Sequence, residues 1–282
     1  MMPRMRDREL VLYIASVALL LGCAAQVRAQ TTSPAAYASI ATDGEGYAGP
    51  GRAPANDLTG KVIRIGLLAP LRGARKAEGD AMVAAAKMAL RESASQPLGG
   101  GRRIALVVED SSGGSWGIVS DAVIRLMLDD HAVAVITSTS GTDTHLCEQV
   151  GNRIGIPVLT LSTDPTTTQI DIPWIFRMGP REAEKADVIA QDTVAEDDQD
   201  AGKRRDFAAR FRQATGAAPS RVASETYDAV ALTMRALQRA GPNRARVRDE
   251  FAKASSYDGV SGKIFFDREG NNRITLHLVQ LK

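Results

Sequence analysis

The sequence predicts a doubly wound α/β fold: a parallel sheet with helices on both faces, closed at its carboxyl end by a β-hairpin. Three observations carry this expectation. Short apolar runs rich in β-branched residues alternate with stretches of helical periodicity, at the spacing of βαβ units. Residues 132–164, AVAVITSTSGTDTHLCEQVGNRIGIPVLTLSTD, contain a complete strand, loop, helix and strand. Within them the polar residues fall in two bursts, TSTSGTDT and LSTDPTTT, each directly after an apolar run and so at the carboxyl end of a parallel strand. In an open α/β sheet that edge is where small ligands sit.

The elements follow in order. Residues 61–70, KVIRIGLLAP, are apolar on alternate and intervening positions alike, as a strand covered on both faces requires. A basic loop, LRGARK, places Arg72, Arg75 and Lys76 close to the end of that strand. Over residues 78–93, Ala, Met, Val and Leu recur at three- and four-residue intervals, the signature of one buried helix face. Three glycines at 99–101 make the return turn, and RIALVVE at 103–109 is the second strand. Asp110, Ser111, Ser112, Gly113 and Gly114 form its carboxyl-end loop. Residues 116–129 read as a helix with Ile118, Val119, Ala122, Val123, Leu126 and Met127 inward. The third strand is expected at 132–136, the third helix at 143–153 and the fourth strand at 157–161, with PWIFRM at 173–178 as an edge strand.

Beyond that point the pattern loosens. Residues 182–193 read as helix, the charge run AEDDQDAGKRR at 195–205 as a solvated surface turn, and 207–214 as a short helix ended by Gly216 and Pro219. Residues 225–240 form a long helix whose inward face carries Tyr227, Val230, Leu232, Met234 and Leu237, and 246–254 another helix. Two strands at 262–267 and 273–281, joined by REGNN, complete the hairpin.

Composition narrows the function. The chain has 282 residues with an apolar fraction of 44%, enough for a sizeable core. Its 35 basic and 33 acidic residues are interspersed, and aromatic residues make up only 5%, so neither a long-range field nor base stacking argues for a nucleic-acid partner. Residues 1–30 read as an export signal, with Arg4, Arg6 and Arg8 before an apolar core at 10–21. Two endings compete there. Leu20-Leu21-Gly22-Cys23 has the form of a lipobox that would lipidate Cys23, whereas cleavage after Val27-Arg28-Ala29 would discard that residue. Residues 31–59, rich in Ala, Gly, Ser, Thr and Pro, read as a flexible tether.

Catalysis finds little support. In the mature chain Cys147 stands alone, so no internal disulfide forms, and no acid or second histidine at ligand spacing completes a metal or nucleophile constellation around His145 and Cys147. The remaining histidines, His131 and His277, lie far off in sequence, and neither a nucleophile elbow nor a phosphate loop occurs. The expectation is therefore a non-enzyme with no cofactor and no metal.

Four segments carry a family resemblance: the opening IRIGLLAPLRG; VITSTSGTDT followed by GIPVLTLSTDPTTT and PWIFRMGP; the helix ASETYDAVALTMRAL; and the closing GVSGKIFFDREGN. Together, over residues 61–180 and 220–282, they resemble the amino-acid (Leu/Ile/Val-like) extracellular solute-binding proteins of ABC importers, which have the type 1 periplasmic-binding fold. The resemblance implies a first lobe at 60–180, helices returning to it at 220–257 and the hairpin at 258–282. Between Arg181 and Pro219, where the family builds a full second lobe, this chain has about one βα unit's worth of residues. The expected architecture is thus one lobe with a reduced second lobe or hinge at 181–219.

The same resemblance implies a ligand site. The ligand carboxylate would meet the hydroxyls and amides of Ser140, Gly141, Thr142 and Thr144 at a helix start, though such residues also simply cap helices. Ser162, Thr163 and Asp164 match the second loop, with Asp164 facing an ammonium group or serving as a turn residue before Pro165. Arg72 would reach an acidic group, and Tyr227 would lie near the cleft or in the core. Two readings follow: a periplasmic substrate-binding component for amino acids or similar small polar solutes, partnered by an inner-membrane ABC permease and weakened by its missing wall; or an envelope lipoprotein using the same lobe as a protein-interaction module.

Overall fold

The computed structural model describes residues 49–93, 98–112, 116–169, 173–179, 194–195, 198–253, 256–272 and 277–278. The export signal, the Cys23 lipobox and the helix expected at 182–193 lie outside these residues.

Five parallel strands make the central sheet. They are β1 (Val62–Ala69), β2 (Arg103–Asp110), β3 (Ala134–Thr137), β4 (Val158–Thr160) and β5 (Ile175–Arg177), in the order β2-β1-β3-β4-β5. Helices α1 (Lys76–Ser93), α2 (Trp116–Ile124, continued by a π turn at Arg125–Asp129) and α3 (Gly141–Ile154) make crossovers between strands. The order reverses at β1, with β2 on one side and β3 on the other, which creates a switch point at the carboxyl ends of β1 and β3.

β1 explains its own composition. Ile63, Ile65 and Leu67 point to a core shared with α1 and two later helices, α5 (Arg221–Ala240) and α6 (Arg244–Ala252), while Leu68 points to the opposite core under α2 and α3. Gly66 shares that second face, where an added Cβ would lie 3.1 Å from Val135 and 3.4 Å from Leu126. Both faces being covered, the strand is apolar but for Arg64, which lies near its start and reaches Asp130.

On α2, Val119, Ala122, Val123, Leu126 and Met127 are buried, but Ile118 is 50% exposed. Ile118 lies roughly 100° around the helix from the centre of that buried face, a phase that a simple count of apolar residues hides. The charge run also departs from expectation. From Asp198 onward it belongs to α4 (Asp198–Thr215) rather than a turn, and the helix passes through Gly202. Phe207 and Phe211, four residues apart, anchor α4, with the Phe207 ring centroid 4.9 Å from that of Tyr227 and the two rings tilted at 55°.

The tail is rearranged. A short hairpin pairs β7 (Tyr257–Asp258) with β8 (Lys263–Ile264). Among the described residues the two expected strands meet at the bridge Phe266–Asn272, and β9 (His277–Leu278) pairs with β6 (Val194–Ala195). The turn between the expected strands docks on β5. Arg177 N donates to Gly270 O at 2.8 Å, Asn272 N to Arg177 O at 3.0 Å, and Asn272 Nδ2 to Met178 O at 2.8 Å. These bonds occupy the open edge of β5 and leave that edge covered.

Residues ahead of the tether boundary expected at 59 are fastened to the domain. Asn243 Nδ2 donates to Gly51 O, Ala53 O and Asp57 Oδ1 at 3.0 to 3.2 Å; Leu58 N donates to Pro242 O at 2.8 Å; and Arg246 pairs with Asp57 and Arg52 with Asp249. This clamp sits by the start of α6, whose Arg244 bonds Ala132 O just before β3, and so at the amino edge of the sheet.

Candidate functional site

The switch point is built by carboxylates that tie strand-end loops together. Asp110, ending β2, accepts from Leu71 N and Ser112 N, both at 2.9 Å, from Ser112 Oγ, and from Arg72 Nε at 2.6 Å. Burial opposes its charge, but these donors prevail and hold the carboxyl far below the usual range. Glu78 does the same between β1 and β3. It accepts two bonds from Arg75, at 2.8 and 2.9 Å, and two from Thr139, N at 3.1 and Oγ1 at 2.9 Å. Again burial is outweighed and the Glu78 pKa falls. Arg75 Nη2 also reaches Ser138 and Thr139 Oγ at 3.1 and 3.0 Å.

The helix start after β3 is capped as its sequence suggests. Ser140 Oγ accepts from Asp143 N at 3.2 Å, and Ser138 Oγ donates to Asp143 Oδ2 at 2.8 Å. Gly141 packs against the β4 loop, where an added Cβ would lie 3.2 Å from Asp164 Cβ.

Between these loops opens a cavity of about 300 Å³, bounded by Arg72 and Arg75 from the β1 loop, Ser111 and Ser112 after β2, and Ser140, Thr142, Asp143 and Leu146 from α3. Of the residues the sequence singled out, Arg72, Ser140 and Thr142 line it. Thr144 lies beneath: fully buried, its hydroxyl bridges Thr137 at 3.1 Å and Thr160 at 2.7 Å, and so fastens α3 to the sheet. Ser162 Oγ accepts from Asp164 N at 3.1 Å, and Asp164 accepts from Thr166 N at 2.9 Å and Oγ1 at 2.6 Å, so that loop, with Thr163, is a self-bonded neighbour of the cavity. Tyr227 is outside the lining, its hydroxyl bonded to Glu92 at the far end of α1. Arg75, Ser111 and Asp143 were missed as site residues, and only knowledge of the strand order would have grouped them.

His145 and Cys147 take no part in the cavity. Cys147 is fully buried, and burial pushes its thiol well up. His145 bonds Glu148 at 2.7 Å and Thr166 at 3.0 Å. Among the described residues no group of three His, Cys, Asp or Glu is arranged to hold a metal, and no helix is long and apolar enough to cross a membrane.

Glu148 has a measurable consequence. It is 3% exposed, one carboxyl oxygen has no hydrogen-bond partner among the described residues, and burial raises its pKa from 4.5 to about 7 despite His145. A raised folded pKa means the native state holds the proton more tightly. The stabilisation is therefore full below pH 4.5 and is lost as pH rises through about 7, an effect of about 3 kcal/mol. Glu148→Gln is expected to unfold at a higher temperature than wild type at pH 8 and to lose that advantage by pH 4.5. Parallel melting profiles across this range would contradict the assignment.

A doubly wound parallel sheet with a cavity at its switch point defines an open α/β lobe. The periplasmic binding protein profile matches residues 62–200 and 187–281, and the chain belongs to that family. No curated protein matches by sequence. Among solved structures, the branched-chain amino acid transporter substrate binding protein LivJ from Streptococcus pneumoniae, in complex with isoleucine, superposes with a TM-score of 0.64 at 14% identity, covering 75% of this chain and 93% of that one. The leucine binding protein LivK from Thermotoga maritima gives 0.63 at 14% identity, covering 74% and 93%. A solute binding protein from Rhodopseudomonas palustris in complex with benzoate gives 0.62 at 13% identity, covering 75% and 91%. The type 1 periplasmic-binding fold is thereby shown.

Proposed function

We propose that this chain is the solute-binding component of an ABC importer, holding an amino acid or similarly small polar solute in the periplasm and delivering it to an inner-membrane permease. One observation carries the reading: three strand-end loops converge on the 300 Å³ cavity at the switch point, where open α/β sheets take ligands. Ser140, Gly141 and Thr142 supply hydroxyls and helix-start amides for one end of the solute, and Arg72 stands across from them. The export-signal pattern of residues 1–30 supports an envelope location, with Cys23 as the anchor or cleavage after Ala29 as the release. Residues 181–219 are too few for a full second lobe, which supports weaker binding than in a two-walled clamp.

The test is thermal-shift and titration calorimetry of the purified exported chain against a panel of amino acids, amides and aromatic acids. One ligand class is expected to raise the melting temperature, because a ligand bound only by the native state stabilises it. Thr142→Trp, which fills the cavity from an exposed helix position, should abolish the shift. Absence of any shift or heat would favour the second reading, a protein-interaction module, which draws on the exposed Ile118, Ile124 and Leu128 along α2 and its π turn.

A further inference from the structure

Charges around the cavity pair off and leave one over. Arg72 is bonded to Asp110 at 2.6 Å, and Arg75 to Glu78 through two nitrogens at 2.8 and 2.9 Å. Asp143 has no ion pair of its own: Arg75 lies within Coulomb reach of it but gives its hydrogen bonds to Glu78, Ser138 and Thr139. Asp143 is 5% exposed and lines the cavity, and no Lys, Arg or His nitrogen lies within ion-pair distance of it among the described residues. Its one hydrogen-bond donor is the Ser138 hydroxyl at 2.8 Å.

Position in the helix does not account for this. Asp143 is the third residue of α3, where the dipole favours a carboxylate. Yet its side chain caps none of the helix's own amides; the cap is Ser140, which accepts from Asp143 N. A buried carboxylate held by one neutral hydroxyl carries a desolvation cost that a cation would offset. A second group points the same way. Ser111, 6% exposed, lines the same cavity, and its hydroxyl has no hydrogen-bond partner among the described residues.

We propose that the cavity selects a compact solute bearing a cationic nitrogen, an ammonium, amidinium or guanidinium group, which pairs with Asp143 while Ser111 Oγ supplies a further hydrogen bond. This rests on the cavity being the solute site and adds the charge of its occupant. The arginines, already matched by Asp110 and Glu78, orient the polar remainder of the solute without needing it to be an anion. A cavity of 300 Å³ is at the small end for ligand sites, which restricts the solute to a short one.

The experiment is calorimetry of the purified exported chain with agmatine and L-arginine as cationic probes and glutarate and benzoate as anionic ones, on wild type, Asp143→Asn and Thr142→Trp. The expected result is binding of a cationic probe, weakened about 30-fold or more by Asp143→Asn, as for removal of one partner from a buried charge pair, and abolished by Thr142→Trp. Binding of glutarate or benzoate that survives or improves in Asp143→Asn, but is lost in Thr142→Trp, would overturn the cationic assignment and keep the cavity as the site. Binding that persists in Thr142→Trp, or no binding of any probe to wild type, would overturn the cavity reading itself. Should Asp143→Asn fail to fold, the cation-against-anion comparison on wild type and Ser111→Ala, expected to weaken only the cationic probe, decide the matter.

Discussion

Replacing Gly79 by alanine is expected to lower the melting temperature by about 5–10 °C and to abolish solute binding together with it. Gly79 is the fourth residue of α1, buried against the loop leaving β1. A Cβ there would lie 2.6 Å from the Pro70 carbonyl carbon and nearer still to its oxygen. Alanine is the better helix former by about 1 kcal/mol, so propensity alone predicts a gain. The overlap wins because both sides of it are backbone, and no flexible side chain is there to yield; relieving it by shifting α1 or the loop costs about 2–4 kcal/mol. Either shift moves Pro70, Arg72 and Arg75, which border the cavity. Gly202→Ala in α4 is the control, since nothing lies within 4 Å of its added Cβ, and it should be neutral or stabilising. Equal melting temperatures for the two variants would refute the close approach at Pro70.

Asp228→Ala is expected to cost about 3–5 kcal/mol and to free the hairpin of β7 and β8 from α5. Asp228 is fully buried and accepts from Val260 N at 2.9 Å, from Ser261 N at 2.6 Å and from Ser261 Oγ. The loop comes this near because residue 259 is glycine; a Cβ there would sit 2.7 Å from Asp228 Oδ1. Burial nevertheless raises the Asp228 pKa to about 6 against those bonds, a mark of how far the group is from water. Truncation leaves two backbone amides without an acceptor, each costing about 1–3 kcal/mol when buried. Urea denaturation gives the loss, and hydrogen exchange locates it: amides of Val260 and Ser261 should exchange faster while those of β1 follow global unfolding. Unchanged protection at Val260 would show that Asp228 does not hold the loop.

That residue also shows where sequence reasoning reached and where it stopped. The Tyr-Asp-Ala helix was legible from its apolar period, and so were β1 to β4, because a run covered on both faces leaves a continuous apolar signature. What those helix residues do was not legible. Tyr227 and Asp228 are spent on Glu92 and on the Val260 loop, partners 135 and more than 30 residues away in sequence. The cavity divided in the same way. Ser140 and Thr142 follow an apolar run and declare themselves, whereas Arg75, Ser111 and Asp143 become neighbours only because β1 lies between β2 and β3. Thr144 looked like its neighbours in a hydroxyl-rich burst, but helical phase turns it into the sheet, where it bonds Thr137 and Thr160. In α4 the alternation of signs read as solvated loop, while two phenylalanines four residues apart were the stronger fact.

The clamp of residues 51–58 onto the start of α6 decides how this protein bears load. Tension applied at residues 51–58 reaches Asn243, Arg246 and Pro242 first and is spread into α6 and the amino edge of the sheet. The mouth of the cavity lies at the other end of β1, an eight-residue strand about 26 Å long. A pull on residues 51–58 therefore strains α6 and the amino edge of the sheet before it deforms the cavity.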